Sequence, residues 1–190
     1  MLKHKPLIIG ITGAFGSGKS TASDLLVSKG FTKIILSLFL EEEANRRGIK
    51  KVTRKTLQDI GNEWRKKYGA DILAKKALAF SKEKKFKKAV VDGIRNPKEI
   101  ETFRKNGNFK LIAVVANRRT RFNRLRGLER REKLDWKLFD KLDDRDLGVG
   151  EARSGLQVAL CIAMADIFIE NNGSLEELER RIQKVVKEKN

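Results

Sequence analysis

The sequence predicts an α/β sandwich of three layers, a parallel sheet of five strands covered on both faces by helices. Three observations carry that expectation. Five apolar runs, Leu7–Ile11, Lys33–Leu36, Ala89–Val91, Leu111–Ala116 and Asp166–Glu170, alternate with segments long enough for helices, and such alternation implies parallel strands joined by helical crossovers. The first run leads straight into a glycine-rich octapeptide, and the third is followed by an Asp-Gly pair. The 190 residues, 40% of them apolar, fit one domain spanning 1–190 with a substantial core. Neither an internal repeat nor a low-complexity linker divides it.

The octapeptide Gly13-Ala14-Phe15-Gly16-Ser17-Gly18-Lys19-Ser20 fits G-x-x-x-x-G-K-[ST], the signature of a phosphate-binding loop. A strand precedes it and Thr21–Val27, a segment that can form a helix, follows. Glycines let the backbone turn so that successive N–H groups point inward, and the next helix adds unsatisfied N–H groups and the positive end of its dipole. Lys19 is expected to reach the β- and γ-phosphates of ATP and the Ser20 hydroxyl to bind Mg2+, with Thr21 beside it. A plain glycine turn has no use for a lysine and a hydroxyl in tandem.

Between the second and third strands, residues 38–80 are too many for one crossover. They predict two or three helices forming a lobe over the C-terminal edge of the sheet, where an acceptor would bind. Thr53 suits the cap of a helix through Leu57 and Ile60, with Gly61 and Gly69 as weak points. Pro97, after Arg95-Asn96, marks the first turn of the next helix. The basic runs Lys82–Lys88 and Lys184–Lys189 read as solvated surface, with nucleic-acid contact as the other reading.

Asp92, in Val90-Val91-Asp92-Gly93-Ile94-Arg95, stands at the C-terminal end of a strand, the edge where parallel α/β sheets bind ligands. It is placed to hold Mg2+ through water or to orient the acceptor. Gly93 leaves room for substrate, and Arg95 faces the acceptor's phosphate or the transferred group. A second insertion, residues 117–155, concentrates arginine: Arg118, Arg119, Arg121, Arg124, Arg126, Arg130, Arg131, Arg145 and Arg153. Guanidinium forks match phosphate oxygens where lysine is only a point charge, so the cluster suggests a lid over polyphosphate. Glu129, Glu132, Asp135, Asp140, Asp143, Asp144 and Asp146 lie among these arginines, and a helix pair laced with arginine–acid pairs is the plainer alternative.

The formal net charge of +18 fits nucleic acid, a polyanionic substrate, or merely the composition of the source's proteins. Charged residues at 36% resemble those of proteins from hot environments. One cysteine, Cys161, excludes an internal disulfide and reads as a small core residue. The lone His4 near the terminus argues against histidine catalysis or histidine metal sites. No apolar run approaches the ~18 residues that cross a bilayer. The basic start, Met1 to Lys5, runs into the strand and phosphate loop, so a cleaved signal peptide would remove the site itself; a cytoplasmic protein is expected, as a monomer or homodimer.

On these motifs, the chain resembles the nucleoside monophosphate kinase and dephospho-CoA kinase group of P-loop proteins. The residues that carry the resemblance are Gly10-Ile11-Thr12-Gly13 entering the loop, Asp92-Gly93-Ile94-Arg95, Arg124-Leu125-Arg126-Gly127, and the stretch from Ala165 to Leu178 with Asn171-Asn172-Gly173 at its centre. It covers both ends and the central strand well and residues 38–80 poorly, and is nearest to dephospho-CoA-kinase-like ATPases. The resemblance implies a five-stranded parallel sheet, a helical acceptor lobe, and a lid whose arginines stack on adenine and neutralise the transferred group. By position Arg124 resembles the arginine that stacks on adenine, Arg126 or Arg130 a phosphate contact, and Arg145 a lid arginine closing onto the γ-phosphate. Asn171 and Asn172 would border the base.

One departure bears on chemistry. Dephospho-CoA kinases carry an aspartate after the second strand suited to take the proton of a ribose hydroxyl, whereas this chain reads Ser37-Leu38-Phe39-Leu40. A phosphate acceptor is already an anion and needs no base, so a nucleotide or nucleotide-like acceptor is favoured. Glu41, Glu42 or Asp92 in shifted geometry would keep dephospho-CoA open. The expected protein is an Mg2+-dependent kinase using ATP. The rival of another class is a regulatory ATPase whose basic surface holds nucleic acid.

Overall fold

The computed structural model describes residues 6–127 and 133–187. The expectations for Met1–Lys5, His4, Glu129, Arg130, Arg131, Glu132 and the last residues of the basic tail lie outside them.

β1 (Leu7–Thr12) leads through the loop into α1 (Lys19–Val27), and β2 (Thr32–Ile35) follows. Three helices, α2 (Leu36–Arg46), α3 (Arg54–Tyr68) and α4 (Ile72–Glu83), then precede β3 (Lys88–Asp92). α5 (Pro97–Asn106), β4 (Phe109–Val115), α6 (Arg118–Arg126), α7 (Trp136–Leu147), α8 (Val158–Ala163), β5 (Ile167–Glu170) and α9 (Leu175–Lys187) complete the described chain. The five strands run parallel in the order β2-β3-β1-β4-β5. β1 is central; the chain first fills one side of it, with β2 at the edge and β3 between β2 and β1, and then crosses to the β4 side. That reversal opens a crevice at the C-terminal end of β1, the place where such sheets bind ligands.

Alternation along the strands sends neighbours to opposite faces. Ile9, Ile11, Val90, Ile112, Val114 and Ile169 pack on Ala22 and Leu26 of α1 and on Leu178, Ile182 and Val185 of α9. Ile8, Ala89, Val91 and Leu111 face the other way, onto α4, α5 and the buried Cys161 of α8. Burial pushes the Cys161 thiol up from its ordinary pKa, so it is a core filler of low reactivity.

The expected caps are present. Thr53 caps α3 in a reciprocal pair with Thr56, and Pro97 opens α5 behind an Asn96 cap. The second strand differs from its expected span: it ends at Ile35, and Leu36 is already the first residue of α2. A 1%-exposed Leu36 serves the core equally well from a helix, so hydrophobicity alone does not mark that boundary.

The N-terminus of α5 is fixed by Glu99, which is fully buried. Its Oε2 accepts from the backbone N–H groups of Arg95 (2.8 Å) and Asn96 (3.2 Å), and its Oε1 accepts from Nη2 (3.0 Å) and Nε (3.3 Å) of the buried Arg65. Removing one partner of such a pair leaves the other charge buried and alone. Glu99→Ala is expected to cost about 3–5 kcal/mol of stability, read by urea unfolding at neutral pH; a loss within experimental error would show that the pair is not structural.

Candidate functional site

The loop after β1 has the shape its glycines require. Gly13 adopts φ 145° with the place of a Cβ 2.2 Å from the Val114 carbonyl oxygen, and Gly18 caps α1 at φ 95° with that place 2.2 Å from Asn171 Nδ2. No side chain fits at either position. The approach at Gly18 admits a hydrogen bond: Asn171, buried just after β5, donates from Nδ2 to the Ser17 carbonyl oxygen at 2.9 Å.

Three elements clamp the loop from outside. Arg121 of α6 donates to the Phe15 carbonyl oxygen at 2.9 Å and grips the buried Asp143 of α7 with both terminal nitrogens. The Phe15 ring stacks with Phe139 of α7, centroids 6.0 Å apart, and the Arg54 guanidinium of α3 lies 3.7 Å from its centroid. Phe15 thereby joins the loop to both insertions.

Lys19 donates to the Ala14 carbonyl oxygen at 2.9 Å. Desolvation, with Arg95 and Arg54 nearby, lowers its pKa to about 8 although Asp146 and Asp92 pull the other way. The expected gathering of Lys19, Asp92 and Arg95 at one edge is therefore what the fold produces, with Arg54 and Asp146 added. Arg95 is held by Asp146, a fully buried carboxylate whose Oδ2 has no hydrogen-bond partner among the described residues.

Ser20 and Asp92 suit a hard divalent ion that keeps its waters and takes the rest of its ligands from phosphates. Among the described residues no cluster of three or more acidic, histidine or cysteine side chains offers an all-protein cage. The Lys33 ammonium lies 3.6 Å from Asp92 Oδ2, 3.3 Å from the Ser20 backbone carbonyl oxygen and 2.8 Å from Asp24 Oδ1.

Arg124 donates to the carbonyl oxygens of Asn171 (2.8 Å) and Gly173 (3.4 Å), so it and Asn171 form one cluster beside the loop. Asn172 instead turns to the Asn117 backbone N–H (2.7 Å) and to Glu170. Arg126 is exposed and lines a separate cleft with Arg119, Phe122, Asn123 and Trp136. Arg145 is engaged by Asp59 of α3 and by Glu151, both at 2.6 Å. Arg118 pairs with Asp140 and Asp144 at 3.1 Å. The plainer arginine–acid reading thus describes Arg118, Arg121 and Arg145 in this conformation.

Beside the loop lies a small recess of about 70 Å3 between α2, α3 and α4, Gly93 and Leu156. Arg54, Arg65, Arg95, Gln58 and Ser37 are its polar lining, and no carboxylate is among its lining residues. Neither Glu41 nor Glu42 lines it. Arg54, Gln58 and Arg65 are the residues sequence reasoning missed. They share one face of α3 at i, i+4 and i+11, a polar stripe that reads as solvated surface in the sequence.

Loop, switch-point crevice and flanking lobe define a P-loop NTPase with the three-layer fold of small kinases. The sequence profile of the AAA domain matches residues 9–148. A UPF0200 protein of Methanothermobacter thermautotrophicus is 31% identical over 186 residues, covering 95% of this chain and 90% of that one. The chain belongs to the UPF0200 family. Among solved structures, TT1252 from Thermus thermophilus aligns over 97% of this chain and 98% of its own at TM-score 0.59 and 24% identity. Shikimate kinase from Bacteroides thetaiotaomicron aligns over 95% and 98% at TM-score 0.55 and 18% identity. Both establish the fold. Among the described residues, no helix is long and apolar enough to cross a membrane.

The lowered pKa of Lys19 has a measurable consequence. Phosphate oxygens favour its charged form, so nucleotide binding raises the pKa again and takes up a proton. With a free-state pKa of about 8, ATP binding at pH 8 is expected to take up about half a proton, and affinity to fall as pH rises through that value. Titration calorimetry in buffers of different ionisation enthalpy reads the uptake; its persistence in Lys19→Ala would refute the assignment.

Proposed function

We propose that the protein is an ATP-dependent kinase that transfers the γ-phosphoryl group to a nucleotide or nucleotide-like acceptor carrying a phosphate. The observation that carries this reading is that Arg54 and Arg95 both line the recess and act electrostatically on Lys19. Arg54 also lies against Phe15 of the loop, so a donor on the loop and an acceptor in the recess would be neighbours.

The backbone from Gly13 to Ser20 would hold the donor phosphates, with Ala14, Phe15, Gly16 and Ser17 presenting the loop's N–H groups. Lys19 would exchange the Ala14 carbonyl oxygen for phosphate oxygens. Ser20 and Asp92 would hold Mg2+, which supplies charge neutralisation on the donor phosphates. Arg124 and Asn171 would border the donor base, with Thr21 at the helix start and Asn172 bracing the turn.

An acceptor phosphate oxygen would attack the γ-phosphorus as the bond to the β–γ bridging oxygen breaks, releasing ADP. The attacking oxygen is an anion and no side chain takes a proton from it. This suits a recess whose lining includes Arg54 and Arg95 and no carboxylate, with Ser37 in the first turn of α2. Arg54 and Arg95 would offset charge on the phosphoryl oxygens in the transition state, where fixed donors act most strongly. Arg126 and Arg145 remain lid candidates: Arg145 would have to leave Asp59 and Glu151 to reach phosphate, so closure would exchange one set of ion pairs for another. Closure would also keep water from competing as acceptor.

The test is transfer from γ-labelled ATP with Mg2+ to a panel of nucleoside monophosphates, deoxynucleotides and dephospho-CoA. Transfer to a monophosphate is expected, with Lys19→Ala and Arg95→Ala each lowering kcat/KM by about a hundredfold or more. Transfer to dephospho-CoA alone would put the base back into the mechanism. Hydrolysis that no acceptor accelerates would overturn the kinase reading in favour of an ATPase.

A further inference from the structure

The recess has a chemically distinct floor. Arg54, Gln58, Gly61 and Arg65 fall at i, i+4, i+7 and i+11 of α3, so they share one face of the helix. Arg54 marks the end beside Phe15 and Arg65 the end beside Glu99. Gln58 is 3% exposed and Arg65 1% exposed, yet Gln58 Oε1 and Arg65 Nη1 have no hydrogen-bond partner among the described residues. Buried orphans of this kind are rare in folded proteins and need an explanation.

The orientation of each is fixed by its other bonds. Gln58 Nε2 donates to the Leu142 carbonyl oxygen at 3.2 Å; a carbonyl only accepts, so the amide oxygen is the atom left over. Arg65 spends Nε and Nη2 on Glu99. Its charge is thereby balanced, and the remaining Nη1 is a strong donor suited to a neutral oxygen or nitrogen.

Gly61 makes this arrangement possible. A Cβ there would lie 3.1 Å from Arg65 Nη1 and 3.3 Å from Leu40 Cδ1. A glycine in the middle of a helix is a loss against alanine, and here it clears the space in which the guanidinium lies back along α3. Leu36, Leu40, Leu57, Leu73 and Leu156 form the apolar walls.

We infer that this floor is a specificity site for a nucleobase, read through a hydrogen-bond acceptor beside an N–H on the ring edge. Arg65 Nη1 donates to the ring carbonyl or ring nitrogen, Gln58 Oε1 accepts from the N–H, and the leucine walls cover the planar faces. The inference rests on the recess being the acceptor site. It extends that reading by making the base, and not the phosphate alone, the selected group.

Calorimetric titration of the full chain, in the presence of a non-hydrolysable ATP analogue, compares nucleoside 5′-monophosphates with ribose 5-phosphate, which has the anion and no base. At least one monophosphate is expected to bind roughly tenfold tighter than ribose 5-phosphate or better, because a site with buried polar groups rejects a ligand that leaves them unpaired. Gln58→Leu and Gly61→Ala should each erase most of that preference while ribose 5-phosphate binding is unchanged. Gly61→Ala removes no hydrogen-bonding group and carries the test if Gln58→Leu does not fold. Equal binding of monophosphates and ribose 5-phosphate, or an undiminished preference in the folded variants, would overturn the inference. Selective binding without phosphoryl transfer would keep it and sink the kinase reading; transfer to a sugar phosphate with no base preference would do the reverse.

Discussion

A single buried carboxylate, Glu99, sets the frame in which the candidate site exists. Its two oxygens accept from the backbone of Arg95 and Asn96 and from the side chain of Arg65. The first pair of bonds fixes the turn that follows Asp92, and so fixes where Arg95 stands. The second ties α3, and with it the whole helical lobe, to the sheet. Asn96 extends the same junction to the far side of the crevice by donating to the carbonyl oxygens of Gly155 (2.7 Å) and Arg153 (3.0 Å). A charge in such a place is tolerable because every bond to it is made.

The loop is prepared from the opposite side. Gly18 gives up its Cβ so that Asn171 can hold the Ser17 carbonyl oxygen, and Arg121 holds that of Phe15. The Phe15 ring then meets Phe139 on one insertion and Arg54 on the other. Both insertions therefore touch the phosphate loop through this one side chain. The Arg145 bonds to Asp59 and Glu151 join the two insertions directly.

The sequence disclosed those features whose chemistry is local. The phosphate loop is contiguous, so its motif and its setting could be seen together. Thr53, Asn96 and Pro97 act within one turn of a helix, and the strands follow from hydrophobic runs. What stayed hidden depends on distant partners. Arg145 takes its place from Asp59, 86 residues away, and nothing near Arg145 announces that pairing. Arg54, Gln58 and Arg65 form a polar stripe indistinguishable in sequence from a solvated helix face. The one local sign was Gly61, read as a weak point in a helix, where its actual use is space for the Arg65 guanidinium.

The central claim is that phosphate loop and recess are two halves of one site sharing Arg54 and Arg95. A dinucleoside pentaphosphate, in which an ATP-like end and a nucleotide end are joined through their phosphates, spans both halves in one molecule. The account predicts that a member of this series binds at least about a hundredfold tighter than ATP, because the second contact becomes intramolecular. Binding no tighter than that of ATP across the series would show that the recess does not face the donor phosphates.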